Sequence, residues 1–134
     1  MPNSLKKILI VEDSLINRFM VEKYLKSEGF HVNTASNGIE AIDLIKSSKP
    51  PHLIITDLHM PYMDGYQLLN NLRKNQNTFN IPIIAVSSYD LISEHNLQGH
   101  RFDLFVHKPF SLKLLTLEIH RLIEVSTYIT STYR

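Results

Sequence analysis

Four short and almost unbroken apolar runs constrain this chain more than any other feature. They are Ile8 to Val11, Leu53 to Ile55, Ile81 to Val86 with Pro82 near its start, and Leu104 to Val106. A strand with one wet face alternates apolar and polar residues, whereas a strand covered on both faces does not need to. The runs therefore predict buried strands of a parallel sheet. His31 to Ala35 is a weaker fifth run and reads as an edge strand.

Between the runs the apolar spacing becomes helical. Ile16, Met20, Val21, Tyr24 and Leu25 form a stripe, opened by Asp13 or Ser14 as a cap and closed by Gly29. Ala41, Ile42 and Ile45 give a shorter stripe before Pro50, and Leu68, Leu69 and Leu72 a third that starts near Asp64. Leu112, Leu115, Ile119, Leu122 and Ile123 mark a last helix after Ser111, with a less regular helix expected within 91–97. Parallel neighbours require crossover connections, and helices fill them. The expected class is α/β, a doubly wound five-stranded parallel sheet with helices on both faces. With 134 residues the chain has room for one domain, placed at 1–126 with 127–134 as a tail.

Composition narrows the chemistry. There is no cysteine, which removes disulfides, thiolate metal sites and thiol nucleophiles together. A net charge of +1 without a long like-charge run gives no footing for nucleic acid, and no apolar run is long enough to cross a bilayer. A cytoplasmic protein is expected, with no membrane or nucleic-acid partner. Met1 shortly before the first strand favours a stand-alone chain. The seven histidines include no pair at the helical spacing of a zinc motif.

In an open α/β sheet, ligands bind beyond the carboxyl ends of the strands. The runs end in Glu12-Asp13, Asp57, Ser87-Ser88 and His107-Lys108. Carboxylates brought together repel one another unless a cation lies between them. Magnesium suits such an open site, because it binds through one or two carboxylates and keeps waters and substrate oxygens. A lysine and a hydroxyl can both donate to phosphoryl oxygens. Taken singly, Asp13 could be a helix cap, Ser87 a turn residue and Lys108 a solvated cation. As a set, they point to phosphoryl chemistry.

ILIVED over residues 8–13, DLHMPYMDG over 57–65, Val86-Ser87-Ser88 and Lys108-Pro109-Phe110 resemble response-regulator receiver domains, and the likeness spans nearly the whole chain. It implies a CheY-like sheet of order 2-1-3-4-5. It also implies Asp57 as phosphoacceptor, with Asp13, Asp57 and the backbone carbonyl of His59 as magnesium ligands and Glu12 acting through water. By the same resemblance Ser87 moves toward the acyl phosphate, Lys108 pairs with it, and Phe105 changes rotamer. The Lys108–Pro109 bond is expected to be cis. The implied partners are a sensor histidine kinase or histidine phosphotransfer protein, and a downstream protein on the surface of the fourth helix, fifth strand and fifth helix. The implied role is a signalling switch, not an enzyme with turnover. Departures from the common pattern are Ser88 for a smaller residue, Phe105 for tyrosine, and Arg101 where glycine is customary.

Two other classes fit the same residues. A magnesium-dependent aspartyl-phosphate phosphohydrolase would need a second acid two residues after Asp57, where His59 stands. A receiver-like module that binds without phosphorylation would not need the full set of acids and lysine.

Overall fold

Each apolar run becomes a strand in the computed structural model, which describes residues 6–88 and 98–132, with 127–132 described by their backbone alone. The strands are β1 (Lys7–Val11), β2 (His31–Ala35), β3 (Leu53–Asp57), β4 (Ile83–Ser87) and β5 (Leu104–His107), all parallel, in the order β2-β1-β3-β4-β5. Order and class are those expected, with β2 at an edge. β4 starts at Ile83 rather than Ile81; Pro82 has no N–H to give the ladder, although its carbonyl accepts from Ile54 N at 3.0 Å.

The helices are α1 (Leu15–Ser27), α2 (Gly38–Ser47), α3 (Gly65–Lys74) and α4 (Leu112–Thr132). The helix expected within 91–97 lies outside the described residues, so the last helix takes the label α4. It continues through Ser126 to Thr132. On one face of the sheet, Ile8, Ile10, Ile55, Ile84 and Val86 meet Leu25 of α1 and Leu115 and Ile119 of α4. On the other, Leu9, Val11, Ile54 and Ile83 meet Ala41 of α2 and Leu68, Leu69 and Leu72 of α3. Successive strand residues are thus buried in opposite directions, which is why the runs are continuous. Each such Ile or Leu contributes roughly 1.5–3 kcal/mol by leaving water.

The expected inner stripe of α1 is half wrong. Val21, Tyr24 and Leu25 do face the core, but Ile16 and Met20 are 71% and 55% exposed, as are Leu15 and Phe19 at 69% and 57%. The first half of this helix, LINRFM, is apolar on nearly every side, so spacing alone could not choose a face. The ends follow chemistry more closely. Ser14 is the cap, its hydroxyl accepting from Asn17 N at 3.3 Å, so the capping role does not fall to Asp13. Gly29 closes the helix at φ 95°, with Phe30 N donating back to Leu25 O.

Arg101 carries no left-handed strain. The positive φ values before β5 belong to Gln98 and Gly99, at 54° and 82°, so the chain turns before it reaches the arginine. Below β5, Asp103 Oδ2 accepts from Arg73 Nη2 at 3.0 Å and from Ile83 N at 2.7 Å, while Arg73 Nη1 donates to Ile81 O at 2.8 Å. This clamp joins α3 to the starts of β4 and β5.

Candidate phosphoryl-transfer site

Register brings the strand ends together. Val11 pairs with Thr56 and Asp57 with Val86, so Glu12 follows β1 beside Asp57, and Ser87 ends β4 one residue beyond it. Lys108 follows the Ser87–His107 pair and its N–H donates to Ser87 O at 2.8 Å. The Lys108–Pro109 bond is cis, as the resemblance implies.

Glu12, Asp13 and Asp57 offer carboxylate oxygens that all lie within 4.8 Å of one another. Lys108 Nζ lies 3.0 Å from Glu12 Oε1 and 3.5 Å from Asp57 Oδ2. One ammonium thus faces three carboxylates. Burial pulls the Lys108 pKa down, but the hydrogen bond to Glu12 and the charges of Asp57 and Glu12 outweigh it, and the net direction is upward. The pKa of Asp13 is raised, first by burial and then by its contact with Glu12. The donor set suits a hard divalent cation, since all of its ligand atoms are oxygens and negative charge is in excess.

The backbone beneath Asp57 is held tightly. Its Oδ1 accepts from Leu58 N at 2.8 Å, and its carbonyl accepts from the Thr56 hydroxyl at 2.8 Å. A Cβ on Gly65 would run into that same carbonyl, so α3 can begin this close to the site only with glycine there. Asp64 caps α3 through a capping box with Gln67. Similarly, a Cβ on Gly38 would strike the Met63 side chain, and Gly38 N donates to Met63 O at 3.0 Å, which ties α2 to the loop after Asp57.

The other expected residues are spread more widely. Ser87 is 2% exposed, His59 is exposed, and Phe105 is 45% exposed. Edge-to-face ring contacts run from His59 to Tyr66 (6.3 Å), to Phe102 (6.2 Å) and to Phe105 (5.4 Å). A cavity of about 470 Å³ opens beside Asp57, Glu12 and Lys108, walled by Ile10, Met20, Val86 and Phe110.

Sequence reasoning missed Arg18, whose Nη1 donates to the Glu12 carbonyl at 2.8 Å. Its signal was available, because residues 18, 21 and 25 share one helical face and a lone arginine interrupts it. The close approaches at Gly38 and Gly65 were not visible as such. Only the turn chemistry of Asp64-Gly65 could be read.

A family model described as the response regulator receiver domain matches residues 8–120. The chain is 32% identical to the sensor histidine kinase CheAY of Helicobacter pylori over 88% of its own length, which spans 15% of that protein. It is 34% identical to a probable transcriptional regulator of Pyropia yezoensis over 98% of its length, spanning about half (53%) of the relative. A two-component response regulator of Arabidopsis thaliana is 32% identical, with 78% of this chain and 76% of that one covered. Among solved structures, a CheY-like receiver domain from Methanospirillum hungatei superposes with a TM-score of 0.84 at 25% identity, covering 93% of this chain and 98% of that one. The receiver domain of a Pseudomonas aeruginosa sensor histidine kinase, solved with magnesium coordinated in its active-site cleft, gives 0.79 at 28% identity, covering 89% and 98%.

Proposed function

The chain belongs to the response regulator receiver family, and from that premise we propose that Asp57 accepts a phosphoryl group from a phosphohistidine donor in a magnesium-dependent reaction. The observation that carries this reading is the unbalanced cluster, three carboxylates within 4.8 Å against the single ammonium of Lys108. Asp13, Asp57 and the His59 carbonyl would hold magnesium, with Glu12 reached through water. The ion would neutralise charge on the transferred oxygens.

Asp57 is the nucleophile. As its carboxylate oxygen forms the new P–O bond, the donor's P–N bond breaks, and the imidazole leaves neutral with the proton already on its other nitrogen. Lys108, seated next to Asp57, meets a phosphoryl oxygen, and Ser87 donates its hydroxyl to another. Little covalent chemistry is asked of the protein beyond alignment and charge. Slow hydrolysis of the acyl phosphate resets the site.

The surroundings favour a protein donor. Leu15, Ile16, Phe19 and Met20 of α1 lie exposed near the site, and Met20 also walls the cavity beside Asp57. An apolar helical face presenting phosphohistidine would cover them. That donor is a sensor histidine kinase or a histidine phosphotransfer protein. After transfer, movement of Ser87 toward the phosphoryl group lets Phe105 turn inward, and the surface formed by β5 and its neighbouring helices is read by a downstream partner.

Intact-mass measurement with acetyl phosphate or phosphoramidate tests the reading. One added phosphoryl group that requires magnesium and is absent from Asp57→Asn is expected; equal labelling of the variant would overturn it.

A further inference from the structure

Helix α1 inverts the usual rule of burial at its first turns. It exposes Leu15, Ile16, Phe19 and Met20 while half-burying the guanidinium-bearing Arg18 between them in sequence. Taking a charged head out of water is costly unless it finds partners, so a partly buried arginine amid exposed apolar residues calls for a reason. The reason lies six residues back, where Arg18 Nη1 donates to the Glu12 carbonyl at 2.8 Å.

That carbonyl belongs to the peptide whose nitrogen is Asp13's. The chain leaves β1 at Val11 and starts α1 at Leu15, so the short connection between them must aim both acids. Glu12 N is fixed by Ala35 O at 3.0 Å, Ser14 N reaches Glu12 Oε2 at 3.3 Å, and Arg18 N bonds Ser14 O at 2.9 Å. The Arg18 side chain adds a hold on the Glu12–Asp13 peptide plane itself. If that plane rotated, the Asp13 carboxylate would swing with it, away from Asp57.

We propose that Arg18 is a positioning residue for the divalent-cation site, acting through the Glu12 carbonyl to hold Asp13 in place to ligate. The inference rests on the magnesium reading given under Proposed function. Its partner is a neutral carbonyl, so the effect is one of geometry. Losing an outer contact of this kind typically weakens metal binding about 10- to 100-fold, and the lower end applies to a backbone contact.

The test is magnesium affinity of the full chain by NMR titration, with thermal unfolding as the control for folding. R18M, which keeps the length and loses the donors, binds magnesium about tenfold more weakly than wild type at high salt, where the lost positive charge, which alone would favour magnesium, is screened. R18K, which keeps a donor, stays within about threefold. Wild-type or tighter affinity in R18M at high salt, where the lost charge is screened, overturns the proposal. A folded R18K as weak as R18M overturns the contact as its cause. A wild-type protein that fails to bind magnesium overturns the metal reading itself, an outcome distinct from the others.

Discussion

Two charged clusters in this molecule are built alike and balanced differently. At the clamp below β5, Arg73 meets one carboxylate, Asp103, and both also take backbone partners at 2.7–2.8 Å. Burial draws the Arg73 pKa down, and Asp103 offsets this only in part. At the opposite end of the strands, Lys108 meets Glu12 and Asp57 while Asp13 adds a third carboxylate. The first cluster closes on itself and joins three elements. Among the described residues, the second is left with excess negative charge, which a further cation would neutralise. A self-sufficient cluster is architecture, and an unbalanced one is where chemistry can occur.

The comparison breaks most readily through its two cations. Lys108→Ala should slow phosphoryl acceptance about 100-fold while leaving the fold intact, because its ammonium is assigned to the transferred oxygens. Stopped-flow or mass-resolved labelling rates measure this, and an unchanged rate would move Lys108 to the architectural side. Arg73→Ala should do the reverse, lowering stability by about 2 kcal/mol, with the part-exposed Asp103 tempering the loss, and leaving magnesium affinity unchanged. Chemical denaturation beside a magnesium titration separates the two effects.

Asp13→Asn should sharpen the contrast by raising stability when magnesium is withheld. The folded protein holds the Asp13 pKa above its ordinary 3.8, first through burial and then through Glu12, so the ionised carboxylate opposes folding at neutral pH. For so exposed a group the gain is small, about 0.5 kcal/mol after screening, and it fades as pH falls toward 3.8 and the carboxylate protonates in both states. The same substitution should weaken magnesium binding more than Glu12→Gln does. Denaturation at pH 7 and pH 4 without metal checks the first half, and titration the second.

The smallest expected effect lies at the start of the strands. His52 Nδ1 accepts from Lys7 N at 2.9 Å, and its pKa is lowered by burial, then by Lys6 and Lys7. As pH falls through 6.5 the unfolded chain takes up a proton that folded His52 still refuses, so stability declines there and levels off once the folded ring is protonated. His52→Gln should flatten that part of the stability profile.

Much of this was legible because strands buried on both faces write continuous runs, and the residue ending each run sits where an α/β sheet binds its ligands. Asp13, Asp57 and Lys108 could be found that way. Ser87 also could, although its 2% exposure could not be foreseen. The face of α1 could not be chosen, because its apolar residues surround the first turns and tertiary packing alone decides which point inward. Arg18 could have been noticed as a lone arginine on an otherwise apolar helical face, but not its partner, because a backbone carbonyl leaves no residue-type pattern. Arg101 stands where glycine is customary, and the chain accommodates it by placing its left-handed residues earlier, at Gln98 and Gly99.

The central claim is that Asp57 carries the phosphoryl group, and chemical trapping tests it most directly. Borohydride reduces an acyl phosphate to the alcohol, so phosphorylated protein treated with borohydride and mapped by peptide mass spectrometry should contain homoserine at position 57 and at no other aspartate. Homoserine at Asp13 or another aspartate, the corresponding alcohol at a glutamate, or no reduced residue after verified labelling would contradict the account.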